Sequence, residues 1–187
     1  MNNTLRAVVA AAAMAAVLGA CSDDAPPTES AATTAAPTAT QTVEPTDEVG
    51  EESDTFGQLV DVRVGEHSGF DRVVFEFADD LPGYSVKYVE LPVAEDGSGE
   101  SVELPGAEAA VQVVFTPASG FDLEAGEETY TGPGTVTNDQ TVEITGVASS
   151  GDFEAMLSWA VGLRHEVPFE VTKLDSPARL VVDFQTD

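Results

Sequence analysis

The chain has 187 residues, with 34 acidic residues against 7 Lys and Arg and a formal net charge of -27 at pH 7. A surface this acidic repels nucleic acids and anionic lipids unless a divalent cation bridges the charges. We therefore expect no nucleic-acid partner. A single cysteine excludes an internal disulfide, and the folded part must therefore be stabilised by its own core.

The first twenty residues have the layout of an export signal. Met1 to Arg6 is short and positively charged, and residues 7–20 form an unbroken apolar stretch. Fourteen helical residues span only about 21 Å, short of the roughly 30 Å of a bilayer core. We therefore expect residues 1–20 to be a cleaved signal peptide and not a permanent membrane helix.

The segment that follows carries the only cysteine of the chain. Residues 18–21, LGAC, resemble the lipobox of bacterial lipoproteins. This resemblance implies that cleavage occurs just before Cys21 and that its sulfur receives a diacylglycerol. Two acyl chains, at about 0.8 kcal/mol per buried methylene, hold a protein stably at a membrane. The prediction is an extracytoplasmic, lipid-anchored protein; the alternative is that Cys21 is a small apolar residue inside a signal peptide.

Residues 21–55 are dominated by Ala, Thr, Pro, Ser and acidic residues, with hardly a large apolar side chain. Such a composition buries too little surface to offset the entropy of ordering, which predicts a disordered linker. As a flexible coil of about 30 residues it would reach on the order of 30 Å, and further if it is extended. One folded domain is then expected over residues 56–187.

The domain shows the two-residue alternation of half-buried strands. In FDRVVFEF, residues 70–77, we place Phe70 with the buried Val and Phe side chains and Arg72 on the opposite face. Gly- and Pro-rich turns separate this segment from the others, and residues 120–138 are expected to form a long loop. Further strands are predicted in QLVDVRVGEH, YSVKYVEL, AVQVVFTP, TVEITGVASS, FEVTKL and RLVVDF.

Residues 151–163, GDFEAMLSWAVGL, are ambiguous between a strand and a helix. Ala, Met and Leu favour a helix, whereas Gly162 and a strict alternation from Phe153 to Leu163 favour a strand. We predict a strand. Seven or eight short strands then indicate an all-β fold, either an antiparallel β-sandwich or a flattened barrel.

Two distant segments carry a family resemblance. RVVFEF at 72–77 and RLVVDF at 179–184 share an Arg, a run of β-formers, an acid and a Phe. With their flanks, they resemble the opening and closing strands of AMIN domains, and more closely the AMIN-like domain of lipoproteins from high-GC Gram-positive bacteria. The resemblance covers essentially all of 56–187. It implies a β-sandwich that recruits a protein to the cell envelope, by contact with peptidoglycan.

No catalytic motif stands out in the sequence. The two histidines, His67 and His165, lack the spacing of a zinc hydrolase, and no serine lies in a Gly-x-Ser-x-Gly elbow. The acidic loop from Asp96 does not match an EF-hand, because Ser and Ala occupy the positions of the required Gly and Glu. We therefore expect no enzyme, no metal site and no cofactor.

The sequence offers a few candidate ligand contacts. Exposed aromatic rings stack on sugars, and Arg donates paired hydrogen bonds to carboxylates. Each candidate also has a structural alternative, namely core packing for the aromatics and cross-strand ion pairs for the arginines. The candidates are Arg72, Arg179, Tyr84, Tyr88 and Trp159, with Tyr130 as a further aromatic.

Together these features predict a non-enzymatic, membrane-anchored and monomeric envelope lipoprotein whose AMIN-like domain binds or localises to peptidoglycan. The alternative is a protein–protein interaction module of an envelope complex that makes no direct contact with glycan.

Overall fold

The computed structural model describes residues 39–44 and 48–186, and the secondary structure in this part of the chain consists of strands without helices. Accordingly, no helix within it could cross a membrane. The predicted signal peptide, the predicted lipid attachment at Cys21 and the linker up to residue 38 lie outside the described residues.

The strands are named here in chain order. They are β1 (Ala39–Val43), β2 (Glu48–Glu51), β3 (Gly57–His67), β4 (Phe70–Phe77), β5 (Gly83–Val89), β6 (Ala109–Thr116), β7 (Ala118–Ser119), β8 (Phe121–Asp122), β9 (Glu127–Glu128), β10 (Thr135–Val136), β11 (Ile144–Phe153), β12 (Met156–Leu163), β13 (Phe169–Asp175) and β14 (Ala178–Gln185).

Two six-stranded sheets face one another across a common core. The first sheet has the order β1-β13-β14-β4-β3-β7, and the second has the order β10-β11-β12-β6-β5-β2. Neighbouring strands are antiparallel, except that β7 runs parallel to β3, and β8 and β9 form a separate two-stranded hairpin. Neither sheet closes on itself within the described residues, so the predicted antiparallel sandwich is confirmed and the flattened barrel is not observed.

The core consists of the alternate side chains that the two sheets direct at each other. Its centre is aromatic, with ring centroids 5.2 Å apart for Phe75 and Phe115 and 6.0 Å apart for Phe75 and Trp159, in edge-to-face geometry. Full burial of each such ring contributes about 1.5–3 kcal/mol relative to exposure. This packing fixes how the two sheets face each other and therefore what lies at their edges.

The outer face of the second sheet is also covered. Its central strands β6 and β12 present the small side chains Ala110 and Ala160, and residues 90–108 fold over them and bury Val93. Because alanine leaves room above the sheet, the covering segment approaches closely. The outer face of the first sheet contains Arg72 and Arg179, whose immediate neighbours along β4 and β14 are buried and face the core.

The prediction for Phe70 is wrong. Counting back from Phe77 in β4, the buried positions fall on Phe75, Val73 and Asp71, so Phe70 points outward. Its ring stacks on His67 at a centroid distance of 4.9 Å. The sequence placed Phe70 inside because it is aromatic, whereas the strand phase makes the carboxylate of Asp71 the buried group.

The strand predicted in residues 151–163 is observed as two strands, because residues 151–153 end β11 and Met156–Leu163 form β12. Glu154 and Ala155 form a two-residue turn with φ values of 52° and 61°, which separates β11 from β12. Phe153 therefore lies at the end of β11 and is exposed, instead of facing the core together with Leu157 and Trp159.

The structure also places strands in two stretches that the sequence predicted to be irregular. β1 and β2 lie within the predicted linker 21–55, and β8, β9 and β10 lie within the predicted loop 120–138. β1 pairs with β13 and β2 with β5, at the edges of the two sheets. A strand can pair at a sheet edge through backbone hydrogen bonds alone, so it can form without the apolar alternation that marks a half-buried strand. In β2 only Val49 is buried.

Candidate functional site

Arg72 forms a bidentate ion pair across the first sheet. It lies opposite Asp183 in the β4–β14 register, and its Nε and Nη2 donate to the two carboxylate oxygens at 2.6 Å each. This hydrogen bonding raises the pKa of Arg72 above its ordinary value, against the opposing effect of burial. The guanidinium also lies 5.0 Å from the ring centroid of Phe70. The cross-strand ion pair, one of the two alternatives for this arginine, is thus observed.

Arg179 lies on the same outer face but at a distance from Arg72. It is opposite Glu76 in the register, four residues before Asp183 along β14, which corresponds to about 13 Å at the rise of a strand. Its Nε donates to the carbonyl oxygen of Pro177 at 3.3 Å. The two arginines therefore do not converge on one groove, and the predicted aromatics Tyr84, Tyr88 and Trp159 lie on the other sheet.

Tyr84 and Tyr88 point from β5 toward the core. Tyr84 is buried, and burial raises its pKa. The hydroxyl of Tyr88 donates to the carbonyl oxygen of Val167 at 2.8 Å and accepts the N–H of the same residue at 2.9 Å. Burial raises the pKa of Tyr88 as well. Both residues have a packing role in this structure, and the hydroxyl of Tyr88 fastens the segment before β13 to β5.

Trp159 is 1% exposed, so it is a core residue and not an exposed stacking group. Tyr130 packs edge-on against it, with a centroid distance of 5.4 Å and an interplanar angle of 88°. Although the ring is well packed, its Nε1–H has no hydrogen-bond partner among the described residues. Buried tryptophan N–H groups usually find an acceptor, so this Nε1 is one of the few buried polar atoms of the described residues that lack a partner.

Tyr130 and Trp159 line a cavity of about 360 Å³. It lies at the side of the sandwich where residues 120–134 cross from the first sheet, which ends in β7, to the second sheet, which begins with β10. The floor is apolar, with Leu59 and Leu157 contributed by opposite sheets. Glu128 and Asp152 supply carboxylates, and Gly120, Gly132 and Gly134 supply bare backbone.

Glycine is required where this loop passes the ring of Tyr130. A Cβ atom on Gly132 would lie 2.5 Å from the Tyr130 hydroxyl oxygen, and one on Gly120 would lie 3.2 Å from its Cβ. The hydroxyl donates to the carbonyl oxygen of Pro133 at 2.8 Å, which fixes the ring. Burial raises the pKa of Tyr130, and the negative charge of Asp61 adds to this effect.

The loop around the cavity is anchored at both ends. Asp152 accepts hydrogen bonds from the hydroxyl of Ser119 at 3.0 Å and from the N–H of Gly120 at 2.9 Å. At the other end, the carbonyl oxygen of Gly134 accepts the N–H of Ser149 at 2.8 Å, and within the loop the hydroxyl of Thr129 donates to the carbonyl oxygen of Leu59 at 2.8 Å. The cavity is therefore formed before any ligand arrives, which lowers the entropic cost of binding.

The chemistry of this cavity suits a ring-shaped, uncharged and polar ligand. Aromatic and aliphatic walls provide contact area, and the carboxylates of Asp152 and Glu128 accept hydrogen bonds from hydroxyl or amide groups. Sequence reasoning identified the two aromatics but not the two acids. The closely spaced glycines of residues 120–134 were the available signal for the cavity, and the sequence alone does not show which strands they approach.

The histidines do not contribute to this cavity. His67 stacks on Phe70 at the end of β3, and His165 places Nδ1 3.2 Å from a carboxylate oxygen of Glu143. Within residues 39–44 and 48–186, no group of three or more His, Cys, Asp or Glu side chains is arranged to hold a metal ion.

Comparison with known proteins gives one match. A family model described as the AMIN-like domain matches residues 57–186, whereas no curated protein and no solved structure matches the chain. The matched range is close to the 56–187 over which the resemblance was predicted. It points to an extracytoplasmic location in the cell envelope and to a role related to the cell wall. The chain therefore belongs to the AMIN-like domain family.

Proposed function

We propose that this protein is a non-enzymatic envelope lipoprotein, anchored through Cys21, whose AMIN-like domain binds the glycan of peptidoglycan in the cavity lined by Tyr130 and Trp159. The observation that carries the proposal is the preformed cavity itself, which brings the rings of Tyr130 and Trp159 together with the carboxylates of Asp152 and Glu128.

The charge of the domain supports the glycan over other wall components. With a formal net charge of -27, the chain repels phosphate-rich polymers and the free carboxylates of peptides. Sugar rings carry hydroxyl and acetamido groups instead, and Asp152 and Glu128 provide acceptors for both. The cavity volume, about 360 Å³, is at the small end of ligand pockets, which favours one or two sugar units over a longer segment.

The direct test is sedimentation of the full chain with peptidoglycan stripped of its attached polymers. We expect retention at low and at physiological salt, and at least tenfold weaker binding for Tyr130→Ala, which removes an aromatic wall. Phe70→Ala is the matched control, because it removes a half-exposed ring from the outer face of the first sheet. The fluorescence of Trp159, the single Trp of the chain, should change on titration with soluble glycan fragments. The same fluorescence, measured without ligand, checks that each variant is folded.

Three outcomes would contradict the proposal. Absence of the chain from the pellet at both salt concentrations removes glycan binding altogether. Equal retention of wild type and Tyr130→Ala places any wall contact outside the cavity. Release of soluble muropeptides from the polymer would identify a hydrolase and contradict the non-enzymatic assignment.

A further inference from the structure

Large apolar side chains are exposed mainly at one end of the sandwich. Single exposed apolar residues are ordinary, whereas a cluster of them marks an interaction site. Among the described residues, six large apolar side chains are exposed, and four of these belong to segments that meet at the same end, which we name the apolar end. The four are Phe56 (38%), Leu123 (72%), Phe153 (62%) and Met156 (42%).

Backbone hydrogen bonds show that these segments are neighbours. The N–H of Gly57, next to Phe56, donates to the carbonyl oxygen of Pro117 at 2.9 Å. The N–H of Ala118 in turn donates to the carbonyl oxygen of Ala155 at 2.9 Å, in the turn between Phe153 and Met156. The start of β3, the strand β7 and the β11–β12 turn therefore form one continuous surface.

The β11–β12 turn is strained. Glu154 and Ala155 have φ values of 52° and 61°, in the left-handed region where Asn and Gly are the usual residues of a two-residue hairpin. The carbonyl oxygen of Ala155 accepts hydrogen bonds from the N–H of Ala118 and, at 3.3 Å, from the hydroxyl of Thr116, which hold the turn in place. Strain of this kind persists where the surroundings over-determine it, and it is concentrated at functional sites.

Leu123 is presented by an ordered loop. The carboxylate of Asp122 accepts the N–H groups of Glu124 at 2.8 Å and of Ala125 at 3.0 Å, which also lowers its pKa. Leu123 and Phe56 together line a groove of about 330 Å³. The hydrogen bonds of Asp122 thus order the backbone that presents the exposed side chain of Leu123.

The charge around the apolar end restricts what can cover it. Residues 52–57, 117–128 and 150–157 contain eight acidic residues and no Lys or Arg. A second copy that used the same surface would place like charges against each other, and a bilayer with anionic lipids would do the same. We propose that the apolar end is the docking surface of a partner protein whose own contact is apolar and ringed by Lys and Arg.

The four exposed apolar side chains of this surface do not line the proposed glycan cavity, although the acidic residues around them include Glu128 and Asp152 of that cavity. Phe121 lines the cavity, whereas Leu123, two residues later, lines the groove at the apolar end. Either proposal can fail while the other holds, because the glycan test changes Tyr130 and the docking test changes Leu123 and Phe153.

The test uses a defined probe, an amphipathic helical peptide made of Leu and Lys, and its Leu and Glu analogue as the charge control. The full chain carries Cys21→Ser in every sample, so that acylation plays no part. We expect the Lys peptide to bind wild type at least tenfold more tightly than the double variant Leu123→Ser/Phe153→Ser. Val142→Ser is the matched control, because Val142 is 47% exposed and lies two residues before β11, at the end of that strand opposite to Phe153.

Specific results overturn the proposal. Equal binding of the Lys peptide to wild type and to the double variant means that charge alone attracts it. Sedimentation equilibrium that shows a dimer of wild type, lost in the double variant, assigns the surface to a second copy. Flotation with vesicles of zwitterionic or anionic lipid that is lost in the double variant assigns it to a membrane. Supporting results are selective loss of Lys-peptide binding in the double variant, normal binding by Val142→Ser and no binding of the Glu peptide.

Discussion

The buried carboxylate of Asp71 joins the two sheets, and its removal should be the most damaging single change outside the aromatic core. Asp71 is 0% exposed in β4 of the first sheet. Its Oδ2 accepts the N–H groups of Glu143 at 2.6 Å and of Ile144 at 3.0 Å, where β11 of the second sheet begins. In Asp71→Ala, both N–H groups lose their acceptor in a place that water does not reach.

The expected loss follows from these two contacts. A hydrogen bond to a charged group contributes about 1.5–3 kcal/mol, so Asp71→Ala should lower the free energy of unfolding by about 3–5 kcal/mol. This is a large part of the roughly 5–15 kcal/mol of a typical domain, and it corresponds to a fall in Tm of about 10–20 °C. Asp71→Asn keeps an acceptor oxygen and should lose about 1–2 kcal/mol.

The assay is urea unfolding followed by the fluorescence of Trp159, which is buried and is the single Trp of the chain. Asp79→Ala is the matched control, because Asp79 is an exposed acid just beyond the same strand, and its free energy of unfolding should stay within about 0.5 kcal/mol of wild type. A loss below about 1 kcal/mol for Asp71→Ala, with an unchanged urea dependence, would refute the reasoning.

Three further predictions concern other contacts. Arg72→Met should lower the free energy of unfolding by about 0.5–1 kcal/mol at low salt and by less at high salt, because the Arg72–Asp183 ion pair is partly exposed. An equal loss at both salt concentrations would contradict an ionic origin. Tyr88→Phe should cost about 1–2 kcal/mol at neutral pH through its bonds to Val167. Burial raises the folded-state pKa of Tyr88, so the contribution of this group to wild-type stability is complete below the unfolded pKa of about 10 and is lost as the pH rises above it. Urea unfolding at alkaline pH should therefore show a free energy of unfolding that falls less steeply with pH for Tyr88→Phe than for wild type. Ala155→Gly should raise the free energy of unfolding by about 0.5–1 kcal/mol, since glycine accepts a φ of 61° without strain; an unchanged midpoint would show that the turn is unstrained.

The sequence by itself determined the strands and the family. Alternation of apolar and polar residues is local, so the segments that became β3, β4, β5, β6, β13 and β14 were predicted without knowledge of their neighbours. The resemblance rested on the same local segments, and the family match at 57–186 agrees with it. Where the pattern was broken by a turn, as at Glu154 and Ala155, the alternation was extended too far because neither residue is typical of a turn.

Only the tertiary structure decided which phase of a strand is buried and which distant residues meet. It placed Asp71 inside and Phe70 outside, against their polarity, because the inner positions of β4 are set by the packing of Phe75 and Phe77. It also brought Tyr130 against Trp159. Such contacts depend on strand order, bulges and loop anchoring, which involve residues far apart in the chain, and no local period encodes them.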